Sequence, residues 1–441
     1  MALRDRAAAL ELVEDSKAQA LLTLLRARGL GLDQEDQGDP YVRRLLARER
    51  MLRQRLRQAR LHVSLTEGYG TRGGAIPMQV AAHEGLAELA RWQTQYAATL
   101  EALRAQRSLA DPAPYAPPFN LETFRQKAAA RLPAGWAALA YYLDGDDLYT
   151  FYLDEHDLEA WQRRLERYEA LVLAQATDPS PGRRMQTYGA RGNGLSNGLM
   201  LLRHLRQVLI PAAVEERLSP QRPVWIVPHG RLHYLPFHVL PSRKPCPSDA
   251  RASYLGQEVT LHVVPSLRLL EHLACLPTAR DGALDGPALI CGISDFGPRA
   301  PALRHAADEA LAVAVAVAAW ADAFLLLEGE ASLAALARLQ EEGYLERFDL
   351  MHWATHAEFA PQDPLSSRIL LSDGDLTVAD ILQWRLRARL VVLSTCQSGI
   401  SPLAQGDEMM GLLQALFCVG ARAVLASLWP VDDAASHALM Q

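Results

Sequence analysis

Two residues of this chain are of types that could act together as nucleophile and base. Cys396 ends the apolar run that starts at Leu390, and His356 follows the apolar run that starts at Leu350. A free thiol has a pKa near 8.5, so only about 3% is thiolate at pH 7. An imidazole beside it can take the proton, or hold the thiolate as an ion pair, and later protonate a leaving amine. Backbone N–H groups of Cys396 and Ala357 would face the developing oxyanion. Ser398 and Gly399 are small enough to let a substrate backbone come close. Taken alone, a cysteine at a strand end reads as a buried small hydrophobe, and a histidine as a satisfied core residue. The case for chemistry is the pair. If the two strands are parallel neighbours, both residues emerge at one carboxyl edge, where open α/β sheets bind their ligands.

The other reactive types read more plainly. His352 lies an even number of positions before His356, so both share a strand face, and His352 reads as core or support. Cys418 sits in the apolar stretch 412–419 and reads as packing. Cys246 stands between prolines, as a loop thiol, and His229 and His233 flank a turn.

The elements that must position the pair follow from periodicity. Segments 137–142 and 147–153 read as a strand pair around Asp144-Gly145. Segments 158–175 and 195–217 read as helices. Short apolar strands are expected at 224–227, 288–293, 323–327, 349–355, 390–395 and 423–428, with an alanine-rich helix at 302–320. Strands buried on both faces and separated by helices imply a mostly parallel sheet in a layered α/β fold. Residues 1–110 differ. Leucines at helical spacing before Gly29, eight arginines among leucines in 41–63, and a further helical pattern from Met78 predict a helical hairpin or repeat-like region. No 34-residue period is evident. The arginines read as a solvated face beside a leucine stripe. Four prolines within 111–118 mark a linker.

Composition narrows the function. A chain of 441 residues allows about three domains. A net charge of −6 argues against a general nucleic-acid or anionic-membrane binder. The five cysteines form no CxxC pair and the 13 histidines no HExxH motif, so no metal or cofactor is expected. Free thiols, no apolar run of membrane length and no secretory leader predict a cytoplasmic protein.

Several motifs then carry a family resemblance. They are His352-x-x-Thr355-His356, Ser394-Thr395-Cys396-Gln397-Ser398-Gly399, Gly406-Asp407-Glu408, and Ser427-Leu428-Trp429-Pro430-Val431-Asp432-Asp433. Upstream, residues 225–237 (WIVPHGRLHYLPF) and Pro301-Ala302-Leu303 with 306–309 agree. Over about residues 120–441 the chain resembles the CHAT domain, a caspase-like family related to separase. The resemblance implies a caspase-like sandwich with a first, non-catalytic lobe over 120–285 and a catalytic lobe over 286–441. The linker then spans 111–119, and the last lobe is expected to be truncated, since family members continue past the helix after Asp433. The family's dyad falls on His356 and Cys396, and its acid-lined specificity pocket on Asp433, Asp432 and Trp429. Ala357 stands where many caspase-like enzymes have glycine; only its N–H is needed. The implied function is endopeptidase cleavage of a protein substrate, gated by a partner at the helical region, in some relatives for bacterial defence. The alternatives are a silent caspase-like scaffold and an amidase acting on a small molecule.

Overall fold

A computed structural model describes residues 5–29, 118–177, 194–242, 253–275, 286–358, 367–396, 410–427 and 433–440, with isolated positions between 41 and 102. The expected glycine-rich break at 68–74 and most of the linker lie outside the described residues.

Twelve strands are described. β1 (Ala137–Asp144), β2 (Asp147–Asp154), β3 (Leu158–Arg164), β4 (Val224–Val227) and β5 (Leu261–Val263) form one sheet, in the order β3-β2-β1-β4-β5. Gly145, at φ +58°, makes the tight turn between β1 and β2 that an L side chain would resist. The second sheet has a parallel body, β7-β6-β8-β11-β12, made of β6 (Ala288–Gly292), β7 (Ala323–Leu327), β8 (Leu350–Glu358), β11 (Leu390–Cys396) and β12 (Val424–Ala426). The hairpin β9 (Arg368–Leu371) and β10 (Gly374–Thr377) joins it antiparallel to the end of β8. β8 is buried along nearly its whole length, as an interior parallel strand must be.

The main helices are α1 (Arg6–Gly29), α2 (Leu121–Arg131), α3 (Arg167–Ala176), α4 (Gly194–Leu209), α5 (Leu267–Cys275), α6 (Ala306–Val317), α7 (Leu333–Glu341), α8 (Met410–Cys418) and α9 (Asp433–Met440). Helix α6 covers one face of the second sheet through Ala310, Ala314 and Val317, against Ile290, Leu350 and Val392. The other face carries Met351, Trp353, Val391 and Leu393 into a core that α8 closes with Leu412, Ala415 and Leu416. Gly292 lets β6 meet α6 closely; a Cβ there would lie 2.5 Å from that of Ala310.

Two expectations fail locally. The helix expected over 195–217 ends at Leu209, and only a short helical turn, Ala212–Glu215, follows Pro211. Residues 158–164 are the edge strand β3, not the start of a helix. Leu158 and Trp161 suit a helical period, but pairing with β2 along Leu158–Arg164 decides the outcome. The helix begins only at Arg167, after the capping box of Glu166 and Glu169.

The described residues between 41 and 102 are helical, with Leu45, Leu52 and Trp92 buried. The guanidinium of Arg55 sits 4.5 Å from the Trp92 ring centre, which sets these two helical stretches against each other. Helix α1 packs into the α/β body, against α8, α5, α2 and β3. Its Leu10 is fully buried in the same core as Trp353 and Leu412. Its acids serve the starts of other helices. Glu11 accepts the Leu121 N–H at 2.9 Å, and Glu14 accepts the Leu267 N–H at 2.6 Å. These are the unpaired first amides of α2 and α5, where a carboxylate also meets the positive end of the helix dipole. Asp15 accepts the Phe119 N–H at 2.8 Å and pairs with Arg268 at 2.9 Å.

This packing makes α1 structural for the α/β body. Leu10→Ala should lower unfolding free energy by about 2–5 kcal/mol in urea titrations. Leu12→Ala, at a position 74% exposed, should change it by less than about 0.5 kcal/mol. Equal effects would mean that α1 only rests on the surface.

Candidate functional site

The site is built at the carboxyl ends of β8 and β11. The two strands pair in parallel from Leu350↔Leu390 onward, and the last pair in register is His356↔Cys396. Paired strands run about 4.8 Å apart. The backbone therefore brings these two positions side by side at one sheet edge.

The His356 imidazole is buried and held in two ways. Its Nε2 lies 2.7 Å from the carbonyl oxygen of Pro301. A carbonyl can only accept, so Nε2 carries a proton, and in the neutral ring it is Nδ1 that keeps the lone pair. That Nδ1 is buried and has no hydrogen bond among the described residues. The Phe296 ring packs on the imidazole with centres 4.8 Å apart. Four residues earlier, His352 Nε2 meets Glu309 Oε1 of α6 at 2.9 Å, with both side chains buried. This agrees with the reading of His352 as a supporting group. A neutral ring with a proton on Nε2 and a bare Nδ1 is the form that can accept a proton from a thiol.

Phe296 and Pro301 come from the loop between β6 and α6, which is tied down along its length. The Ser294 and Asp295 N–H groups donate to the two carboxylate oxygens of Glu328, at 3.0 and 3.2 Å. Ser294 closes the loop on itself: its carbonyl accepts from Leu303 N–H at 2.9 Å, and its Oγ from Ala307 N–H at 3.0 Å. In mid-loop, Arg299 donates to the carbonyls of Leu371 and Gly374 and to Asp375 of the β9–β10 hairpin. Asp375 in turn pairs with Arg368 at 3.1 Å, and Arg368 with Glu358 at the end of β8. At the loop's end, the His305 N–H donates to Asp433 Oδ2 of α9 at 2.9 Å.

The remaining expected residues distribute as follows. Ala357 lies within β8, opposite Ile369 of β9, with its side chain in the core. Asp433 begins α9, and one of its oxygens is engaged by His305. Trp429, Asp432, Ser398 and Gly399 lie outside the described residues, as does Cys246. Cys291 is buried in β6, and burial pushes its thiol pKa far up, so it is no nucleophile at neutral pH. Cys418 is buried in α8. In the first sheet, His229 Nδ1 accepts the Leu143 N–H at 3.1 Å. His233 is buried and its pKa is pushed down to about 3, first by burial and then by the charges of Lys17 and His229. A ring so held stays neutral at pH 7 and is suited to packing. Sequence reasoning missed Arg299 and Glu328, and it quoted Pro301 and Glu309 only as parts of a family motif, with no role at the site. It also missed Ser427, whose hydroxyl donates to the Thr395 carbonyl at 3.1 Å, beside Cys396. Ser427 had a signal, as the first residue of the Ser-Leu-Trp-Pro motif.

No group of three or more metal-ligating side chains occurs among the described residues. None of the described helices is long and apolar enough to cross a membrane.

Comparison with known proteins agrees with this architecture. The tetratricopeptide repeat protein 28 of mouse and that of human are each 44% identical to the chain over 61 residues. That stretch is 14% of this chain and 2% of either relative, so the chain spans a very small part of the curated relatives it matches. The family model of the CHAT domain matches residues 199–441, which include β4 to β12 and both strands of the site. With that match over more than half its length, a caspase-like α/β body and the family's motifs at the ends of β8 and β11, the chain belongs to the CHAT domain family.

Proposed function

We propose that the chain is a cysteine endopeptidase whose nucleophile is Cys396 and whose base is His356. The observation that carries this reading is the parallel register that pairs these two positions, with the neighbouring imidazole presenting a bare Nδ1. The thiol proton passes to Nδ1, and the Cys396 sulfur bonds to the scissile carbonyl carbon. The amide N–H groups of Cys396 and Ala357 take the charge that develops on the carbonyl oxygen. When the C–N bond breaks, the imidazolium returns its proton to the leaving amine. Water then adds to the thioester, with His356 as base, and releases a carboxylic acid and the free thiol. The Pro301 carbonyl keeps the ring aligned through both transfers.

A protein substrate and a gating partner are part of the same reading. They rest on the family resemblance, as does a role in bacterial defence. The packing of α1 supports gating, because it joins the helical N-terminal region to α8, the first described helix after Cys396.

Cys396→Ala and His356→Ala should each abolish cleavage while leaving circular dichroism unchanged. The readout is proteomics of cleaved peptides in cells expressing the active protein or Cys396→Ala. Cleaved peptides that are the same for the active protein and for both variants would assign the cleavage to another protein and leave the fold as a scaffold for protein interaction.

For specificity we propose a basic side chain before the cut, received by Asp433 and Asp432 beside the Trp429 indole. Paired carboxylates and an aromatic wall suit arginine or lysine. Losing a buried charged partner costs about 2–5 kcal/mol, so Asp433→Ala should slow a basic-site peptide by about 30-fold or more. A neutral-site peptide should be nearly unaffected. Equal losses for both would assign Asp433 to holding His305 alone.

A further inference from the structure

We infer that Glu328 is a positioning residue, which holds the His356 imidazole in its working tautomer by closing the neck of the β6–α6 loop. The inference begins with a backbone that an L residue resists. Glu328 stands at φ +47°, the only non-glycine residue at positive φ among those described. Glycine would take this conformation freely, and Gly329 follows immediately. A glutamate at 328 therefore answers to a demand on its side chain rather than on its backbone.

That side chain has one visible task. Its two carboxylate oxygens accept the consecutive N–H groups of Ser294 and Asp295. A carboxylate on two backbone amides makes charge-assisted bonds, stronger than neutral ones. They grip the loop where it leaves β6. Ser294 is also where the loop closes on itself, through Leu303 and Ala307. Phe296 and Pro301 lie between these fastenings, and both touch the His356 ring. Glu328 itself stands at the end of β7, a strand that does not adjoin β8. It acts on His356 only through the loop. Arg299 and Asp433 fasten the middle and far end of the same loop, so loss of Glu328 should loosen the neck and leave the fold standing.

The catalytic consequence rests on the protease reading; the effect on the tautomer does not. The test uses the full chain with 15N-labelled histidine and long-range proton–nitrogen correlation spectra, with His356 assigned by its disappearance in His356→Asn. In the unsubstituted protein His356 should show a protonated Nε2 and a bare Nδ1. Glu328→Gly removes the carboxylate and relieves the backbone, so its melting temperature should hold or rise. Its His356 signals should nevertheless move toward a mixture of tautomers. Turnover should fall by about 10- to 100-fold, in kcat rather than KM, as for a misplaced catalytic group. Glu328→Gln, which keeps one acceptor oxygen, should fall between. A tautomer shift in a protein that cleaves no peptide would sustain the positioning role and sink the protease reading. Unshifted His356 signals in Glu328→Gly would overturn the inference, whatever the effect on melting temperature.

Discussion

The parallel pairing of β8 with β11 is the constraint on which the site depends. It is set by two apolar runs, Leu350 to Ala354 and Leu390 to Leu393, each inserted between helices on both faces of the sheet. Side chains alternate along a strand, so a slip of one residue would send each run's buried set to the wrong face. Val392 would leave the α6 side, and Met351 and Trp353 would leave the α8 side. The cost of that slip fixes the register, and the register brings His356 to Cys396. Burial in the strand body is thus what positions the polar residues at its end.

The next requirement is to orient an imidazole that the strand only locates. A side chain at a strand end keeps its ring rotation unless something outside the sheet stops it. Here the stop is the loop after β6, with a carbonyl at Nε2 and a phenyl ring on the face. The loop has no regular ladder of its own, so its amides and its arginine are satisfied by neighbours. Glu328, the β9–β10 hairpin and Asp433 each take one part of it. Helix α1 solves a similar problem on a larger scale. Its acids accept first-turn amides of α2 and α5, and its Leu10 fills the core beneath α8. The helical N-terminal region and the α/β body are therefore joined by packed and hydrogen-bonded contacts.

Much of the sheet was legible in the sequence. β8 and β11 show as continuous apolar runs because both of their faces are covered, and β1–β2 shows because Gly145 marks its turn. The edge strand β3 does not show. Its Leu158 and Trp161 fall at a helical spacing, and only pairing with β2 makes them extended. The short strands β5, β9 and β10 leave too few residues for a period to register. At the site, cysteine and histidine announce themselves by type, whereas their support does not. The group that orients His356 is a backbone carbonyl, which any residue could supply, so Pro301 stands out as part of a family motif but not as the partner of His356. The left-handed conformation of Glu328 leaves no mark on the residue's identity. The partner of Glu14 is an amide at Leu267, on a helix that only the folded chain brings near. What sequence conveys well is burial and reactive type. What it conceals is which backbone group a side chain will meet.

The central claim is that Cys396 is a nucleophile activated by His356. The most direct measurement is intact and peptide mass spectrometry after exposure to a peptidyl acyloxymethyl ketone with a basic residue at its reactive end. The account predicts a single adduct per chain, on Cys396, formed at pH 7 and lost in His356→Ala. An adduct on another thiol, or equal labelling of Cys396 with and without His356, would contradict it.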